Sequence, residues 1–222
     1  MGHHAHSGNL DVDRAMGLVP MLTCNEYRAL TPWRRLCYRI HRHPLVLFGL
    51  DAWFYFLIVQ RFPQKMPKPF TQPRILWTNV GIAAVYAIAA LTVGWRELLL
   101  VQAPIVVISA GVGRWLFFIQ HQFANGYWER AAEWDYYTGA LAGSSHYDLP
   151  PLLHWFTGNI GFHQVHHLNA AIPNYRLQEC LEKTPVLQTA PRFDLMSSFR
   201  CASLGLWDED RHELVPFSRA RA

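Results

Sequence analysis

The sequence has few charged residues and few cysteines, and each shortage excludes a class of protein. Only 16% of its 222 residues are Asp, Glu, Lys or Arg, where roughly 25% is usual for a soluble domain. The net charge of +4 is small and dispersed, which excludes the clustered basic face of a nucleic-acid-binding protein. The four cysteines form no CxxC pair and are too sparse for a disulfide scaffold, so free thiols are expected.

The first residues lack the apolar core and the cleavage site of a secretory signal peptide. The sequence also has no internal repeat and no low-complexity tract. Hydrophobic residues are abundant instead, at 51%, and they include nine Trp and nine Tyr. Because these amphipathic rings favour the interface between lipid and water, the composition predicts an integral membrane protein.

Two apolar stretches, residues 75–94 and 98–120, are long enough to cross a membrane. A helix of about 20 residues spans about 30 Å, the thickness of the hydrocarbon layer. The short connection between them predicts an antiparallel hairpin whose outer ends lie on one side. The positive-inside rule makes that side the cytoplasm, because many basic residues precede the first span: Arg28, Arg34, Arg35, Arg39, Arg42, Arg61, Lys65, Lys68 and Arg74.

A third apolar stretch, residues 44–60, is short, contains Asp51 and has basic residues on both flanks. Two basic flanks disfavour a full crossing. We therefore expect this stretch to be embedded in the membrane without crossing it.

The rest of the chain predicts a helical lobe followed by a tail. Helical runs are expected around residues 121–143 and 150–171, and the charged end of the chain is expected to be a solvated tail. The predicted fold is all-α: an integral membrane protein with a transmembrane hairpin and a cytoplasmic helical lobe that bears histidines. The predicted domain boundaries are 1–185 for the main domain, with the hairpin at 75–120 and the lobe at 121–185, and 186–222 for the tail.

The pattern His163-Gln-Val-His166-His167 is the strongest chemical signal. Positions i, i+3 and i+4 share one face of a helix, so the three imidazoles converge. Neutral imidazole binds iron, zinc, copper and nickel. The alternative is a chance cluster of surface histidines, but the neighbouring apolar, glycine-punctuated sequence favours a metal site.

Other candidates are weaker when taken alone. His121 follows the second span and is either interfacial or a ligand; Asn125, four residues later, offers an amide on the same helical face. Glu129 either orients a histidine from the second shell or lies on a solvated face beside Arg130. His3 and His4 either belong to a disordered terminus or take part in a site. His146 and His154 are expected to be isolated surface or interfacial residues.

Longer segments resemble one known family. The segment from His121-Gln-Phe through Tyr127-Trp-Glu-Arg and Trp155-Phe-Thr-Gly-Asn-Ile-Gly-Phe-His-Gln-Val-His-His-Leu to Ile172-Pro-Asn-Tyr resembles bacterial acyl-lipid fatty acid desaturases of the omega-6/delta-12 type. The segments Asn25-Glu-Tyr, Thr31-Pro-Trp-Arg-Arg and Arg61-Phe-Pro extend the resemblance upstream.

The resemblance implies an oxidoreductase in which histidine boxes hold a di-iron centre at the cytoplasmic face of the bacterial inner membrane. That centre uses O₂ to place a cis double bond in the chain of an acyl lipid or another acyl carrier, with electrons from a ferredoxin-like donor. The implied ligands are His3 and His4 from the second box, His121, and His163, His166 and His167 from the third box. Asn125, Glu129 and Asn159 are the candidate neighbours that orient them.

The family's first histidine box and the first histidine of its second box have no counterpart in the sequence. The expectation is therefore an N-terminally truncated copy. The alternatives are a catalytically inactive desaturase fragment and a related di-iron carotenoid hydroxylase or ketolase.

Overall fold

The structure is a computed structural model that describes residues 3–12, 19–62 and 72–221. The chain forms two compact units: Met1–Arg39 together with Leu116–Ala222, and Ile40–Trp115. The α-helices, numbered in chain order, are α1 Cys24–Ala29, α2 Pro32–His41, α3 Asp51–Leu57, α4 Gln72–Val93, α5 Trp95–His121, α6 Tyr136–Ala142, α7 Pro151–Phe156, α8 His163–Leu168, α9 Leu177–Lys183 and α10 Leu195–Ser198.

Short strands and turns complete the fold. The strands are β1 Leu22–Thr23, β2 His146–Asp148, β3 Arg192–Asp194, β4 Leu206–Asp208 and β5 Glu213–Val215. A π-helical turn covers Val46–Leu50, and 3₁₀ turns cover Val59–Arg61, Asn174–Arg176, Pro185–Thr189, Phe199–Ser203 and Arg219–Arg221. The chain is thus mostly helical as predicted, but the all-α class is corrected because these strands pair into two small sheets.

Both predicted membrane spans are confirmed as long apolar helices. Over the described part of the chain, α4 from Arg74 to Val93 and α5 are long and apolar enough to cross a membrane. Only Gly94, with φ of +102°, separates them, so the connection is shorter than predicted. The Tyr86 hydroxyl donates to Oε1 of Gln102 at 3.1 Å. That contact is compatible with the expected hairpin, which stays a prediction.

The third apolar stretch forms the π-helical turn, α3 and the 3₁₀ turn Val59–Arg61. By length and composition it would make a third span only if it were joined to α2 across a break. Its expected non-crossing position therefore stays a prediction.

A buried ion pair holds the second unit together. Arg114, on α5, is 1% exposed, and its guanidinium donates to Oδ2 of Asp51 at the start of α3. The guanidinium carbon also lies 5.1 Å from the centre of the Tyr55 ring. An ionisable group within an apolar span normally faces the protein interior, and Arg114 follows that rule.

The predicted helix over residues 121–143 is wrong for most of its length. Helix α5 ends at His121, and the next helix begins only after Asp135, whose carboxylate accepts from the Thr138 amide at 2.8 Å. An aspartate in this position caps the free amide groups of a helix start. The helix predicted over 150–171 is likewise two short helices, α7 and α8. Pro151 does occupy the first turn of α7, as expected of proline.

The charged tail is also corrected, because the end of the chain builds the core of the first unit. The strands β1 and β4 pair in parallel and β4 pairs with β5 in an antiparallel fashion. Trp207 and Leu214 pack in one buried cluster with Leu10, Met21 and Trp128. The charged run from Asp208 to Glu213 lies at the facing ends of β4 and β5 and in the turn between them. The prediction of a solvated tail therefore extended to the whole segment the exposure that is expected of its charged residues.

Candidate functional site

Helix α8 presents its histidines because its opposite side is fixed in a hydrophobic cluster. Val165 packs with Phe162, Leu177, Leu181 and Leu187. Because Val165 lies in that hydrophobic cluster, the three histidines of α8, spaced at i, i+3 and i+4, share a different side of the helix. The Nε2 atoms of His163 and His167 lie 3.0 Å apart, and both residues are buried.

His121 ends α5 with its ring held in a defined orientation. Its Nδ1–H donates to the carbonyl oxygen of Gly143 at 3.1 Å, because a carbonyl can only accept. In the neutral ring the Nε2 atom then carries the lone pair. That atom lies 2.9 Å from Nε2 of His163 and 3.1 Å from Nε2 of His3.

The segment of residues 3–10 brings His3 and His4 to the same place by docking on the loop that follows α5. The Leu10 amide donates to the Glu129 carbonyl and the Glu129 amide donates to the Gly8 carbonyl, both at 2.9 Å. The Trp134 indole donates to the Ser7 carbonyl at 2.8 Å. The alternative of a disordered terminus is therefore wrong for these residues.

Gly8 is required for this docking, and Gly8→Ala is expected to release it. Its φ is +77°, and a Cβ atom would lie 2.5 Å from the carbonyl oxygen of Tyr127. The strain and the clash should cost about 1–3 kcal/mol of unfolding free energy and weaken retention of any metal added to the histidines, measured by metal analysis after dialysis. Gly81→Ala is the control, since a Cβ atom there meets nothing within 4 Å. Equal metal retention in both variants would contradict the role given to Gly8.

Six imidazoles meet in one place, and we call them the six-histidine cluster: His3, His4, His121, His163, His166 and His167. The ring centres of His4 and His166 lie 4.6 Å apart, and those of His4 and His167 lie 4.8 Å apart. The ring centres of His3 and His167 lie 5.0 Å apart. His6 does not join the cluster, because its ring lies against Trp134.

The rings of His4, His163 and His167 are neutral near pH 7. Burial, aided by His166 and His3, lowers the pKa of His4 to about 4. Burial and the neighbouring His121 hold the pKa of His163 well below its ordinary value, and burial with His163 does the same for His167. Neutral imidazole is the form that binds a metal.

The arrangement fits transition-metal ions better than hydrogen bonds between rings. Nε2 of His163 lies within 3.0 Å of two other Nε2 atoms, and a single N–H cannot serve both. Nitrogens that bind one metal at about 2.1 Å and at right angles are themselves about 3 Å apart. His3, His121 and His167 each offer a nitrogen within 4.8 Å of the others.

The three predicted neighbours of the cluster have other surroundings. Asn125 is exposed in the loop after α5, so the helical face that suggested it does not exist. The Glu129 carboxylate lies 3.0 Å from Nδ1 of His212, and Glu129 supports the site through its backbone instead. The Asn159 amide donates to the Asn174 carbonyl at 3.1 Å. Their role in orienting histidines stays a prediction.

One group was missed. His146 and His154, expected to be isolated, form a second cluster with Asp148, and their donor atoms lie within 4.8 Å of one another. The alternation His-Tyr-Asp could have indicated it, because residues i and i+2 of a strand lie on one face.

Comparison with known proteins identifies the family. The family model described as fatty acid desaturase matches residues 1–195. A fatty acid desaturase of Bacillus subtilis (strain 168) is 43% identical over 97% of this chain and 61% of its own length. An endoplasmic-reticulum omega-3 fatty acid desaturase of Nicotiana tabacum is 26% identical over 83% of this chain and 50% of its own length.

A sn-1 acyl-lipid omega-3 desaturase (ferredoxin) of Synechocystis sp. (strain ATCC 27184 / PCC 6803 / Kazusa) is 25% identical over 81% of this chain and 50% of its own length. The chain thus spans between half and two thirds of the length of these relatives. The match of the family model covers most of the chain, including all six residues of the six-histidine cluster. The chain belongs to the fatty acid desaturase family.

Proposed function

We propose that the six-histidine cluster holds a di-iron centre and that the chain takes part in the O₂-dependent introduction of a cis double bond into an acyl chain. The observation that carries the proposal is the convergence of the Nε2 atoms of His3, His121, His163 and His167 within about 3 Å of a neighbour. Imidazole is a common ligand of iron. All six rings lie in the part of the chain that matches the family.

The chain's own residues supply the holding and orientation of the metal. The Gly143 carbonyl fixes the tautomer of His121, and such a contact raises the basicity of a ligand and sets its ring orientation. Burial keeps the rings of His163 and His167 neutral and excludes water from them. When bound, the iron pair supplies the oxidation that removes two hydrogens from an acyl chain.

The substrate class is a membrane lipid with an acyl chain. Helices α4 and α5 leave many large apolar side chains exposed, among them Leu76, Trp77, Leu91 and Leu100, as expected of helices that face lipid. We place the chain in the bacterial inner membrane as a transmembrane hairpin, with the six-histidine cluster on the cytoplasmic side. The basic residues before α4 support that orientation.

A ferredoxin-like protein is the proposed electron donor, since the name of the Synechocystis relative includes ferredoxin. The acyl carrier is proposed to be a lipid, since the name of the same relative includes acyl-lipid. Two of the relatives carry omega-3 names, so the omega-6/delta-12 assignment stays a prediction.

The test is the iron content of the full chain, purified in detergent and loaded with Fe²⁺ without oxygen. We expect two bound irons per chain and a Mössbauer spectrum of a coupled pair. Membranes of an expressing host supplied with reductant and O₂ should gain unsaturated acyl chains, measured by gas chromatography of their methyl esters. A chain that retains no iron above the level of a detergent control would contradict the proposal.

A further inference from the structure

A second cluster of metal-ligating side chains lies outside the six-histidine cluster, on the wall of a cavity of about 720 Å³. His146, Asp148 and His154 line the cavity and offer donor atoms that all lie within 4.8 Å of one another. The proposed function uses none of the three.

The local fold explains why they meet. His146 and Asp148 are two residues apart on β2, so their side chains lie on one face of the strand. The chain then turns at Pro150 and enters α7, whose first residues carry His154 back toward the end of β2. There the Leu149 amide donates to Nε2 of His154 at 3.2 Å.

Two nitrogens in the cluster lack partners among the described residues. His146 is 8% exposed, yet its Nε2 atom accepts and donates no hydrogen bond, and Nδ1 of His154 has none either. Buried polar atoms are normally paired. Burial, reinforced by the charge of Arg192, lowers the pKa of His146 to about 4, and burial lowers the pKa of His154. Both rings are therefore neutral near pH 7.

We propose that His146, Asp148 and His154 form a site for a divalent transition metal such as Zn²⁺. Two neutral imidazoles and one carboxylate are a common set of three ligands for this ion, with the fourth position open. Because all three residues line the cavity, it leaves room for a fourth ligand. Binding exchanges the long Leu149–His154 hydrogen bond for a metal–nitrogen bond and gives a partner to a buried nitrogen.

A bound metal would brace the start of α8. The Phe162 ring stacks on His154 with ring centres 4.6 Å apart and lies 5.2 Å from the ring centre of His146. Phe162 directly precedes His163. The second site would thus hold β2 and α7 against the residue that positions the first histidine of α8.

Arg192 is the natural competitor of the metal. In β3, which pairs with β2, its Nε–H donates to Oδ2 of Asp148 at 3.1 Å. The guanidinium occupies the carboxylate and repels a cation. Removal of the Arg192 guanidinium should therefore strengthen metal binding. The same removal should weaken binding of an anion, for which Arg192 would be the anchor.

The experiment is a titration of the iron-loaded full chain with Co²⁺, followed by the visible absorption of bound Co²⁺ and reversed with Zn²⁺. We expect wild type to bind one more Co²⁺ than His154→Gln, and Arg192→Gln to bind that Co²⁺ severalfold more tightly. His43→Gln is the control, since His43 is exposed, and its titration should match wild type.

The proposal is overturned if His154→Gln binds as much Co²⁺ as wild type, or if Arg192→Gln binds it more weakly. Misfolding can lower Co²⁺ binding but cannot raise it. The tighter Co²⁺ binding expected of Arg192→Gln therefore cannot come from a misfolded protein. Failure of iron loading would count against the six-histidine cluster alone, because the Co²⁺ difference is measured on residues outside that cluster.

Discussion

His163→Ala is expected to abolish the iron binding and the desaturation proposed for this chain. The Nε2 atom of His163 lies 2.9 Å from that of His121 and 3.0 Å from that of His167. The substitution therefore removes the candidate ligand atom that lies close to both of the others. Loss of a residue that only orients a ligand costs about 10–100-fold in metal affinity, and loss of the ligand itself should exceed that. Metal analysis after anaerobic loading gives the affinity, and methyl-ester chromatography gives the product.

His6→Ala is the matched control for that experiment. His6 belongs to the same docked segment as His3 and His4, but its ring lies beside Trp134 at a distance of 6.0 Å between ring centres. Iron content in His6→Ala should remain at the wild-type level. If His163→Ala kept its iron while His6→Ala lost it, the set of ligands proposed for the centre would be wrong.

Asp51→Ala is expected to cause the largest loss of stability. It leaves the guanidinium of Arg114 buried, at 1% exposure, without its carboxylate. Breaking one partner of a buried ion pair costs about 3–5 kcal/mol, because the remaining charge has no compensation. The free energy of unfolding, measured by denaturant titration in detergent micelles, should fall by that amount.

The double variant Asp51→Leu with Arg114→Met separates the charge from the packing. Replacing a buried pair by apolar residues of similar size is often neutral or stabilising, so the double variant should recover most of the lost stability. Glu179→Ala is the exposed comparison, since its pair with Lys183 is largely in solvent and should contribute little to stability. A double variant less stable than Asp51→Ala would refute the uncompensated charge as the cause.

The spacing of the histidines in α8 predicted their convergence, because i, i+3 and i+4 periodicity is a local property of the helix. The docking of His3 and His4 is not local. It depends on backbone hydrogen bonds between the segment of residues 3–10 and Glu129, and backbone pairing over such a separation leaves no periodic signal. The resemblance to a known family supplied that part of the site.

The errors in the lobe have a common physical origin. After His121 the backbone forms its hydrogen bonds with other segments, as when the Leu214 amide donates to the Ala124 carbonyl at 2.8 Å. These tertiary contacts outweigh the helix propensity of the segment. In the last part of the chain, Trp207 and Leu214 flank a run of charged residues, and the charges concealed two short strands, of which β4 pairs with the distant β1.

The contribution of β4 and β5 to the first unit also sets the order of events during synthesis. Leu10 is held in the same buried cluster as Trp207 and Leu214, which leave the ribosome long after it. The buried cluster that holds Leu10, at the end of the segment that carries His3 and His4, is complete only once that late segment has emerged and packed. Incorporation of the metal proposed for the six-histidine cluster is therefore expected to follow the synthesis of β4 and β5.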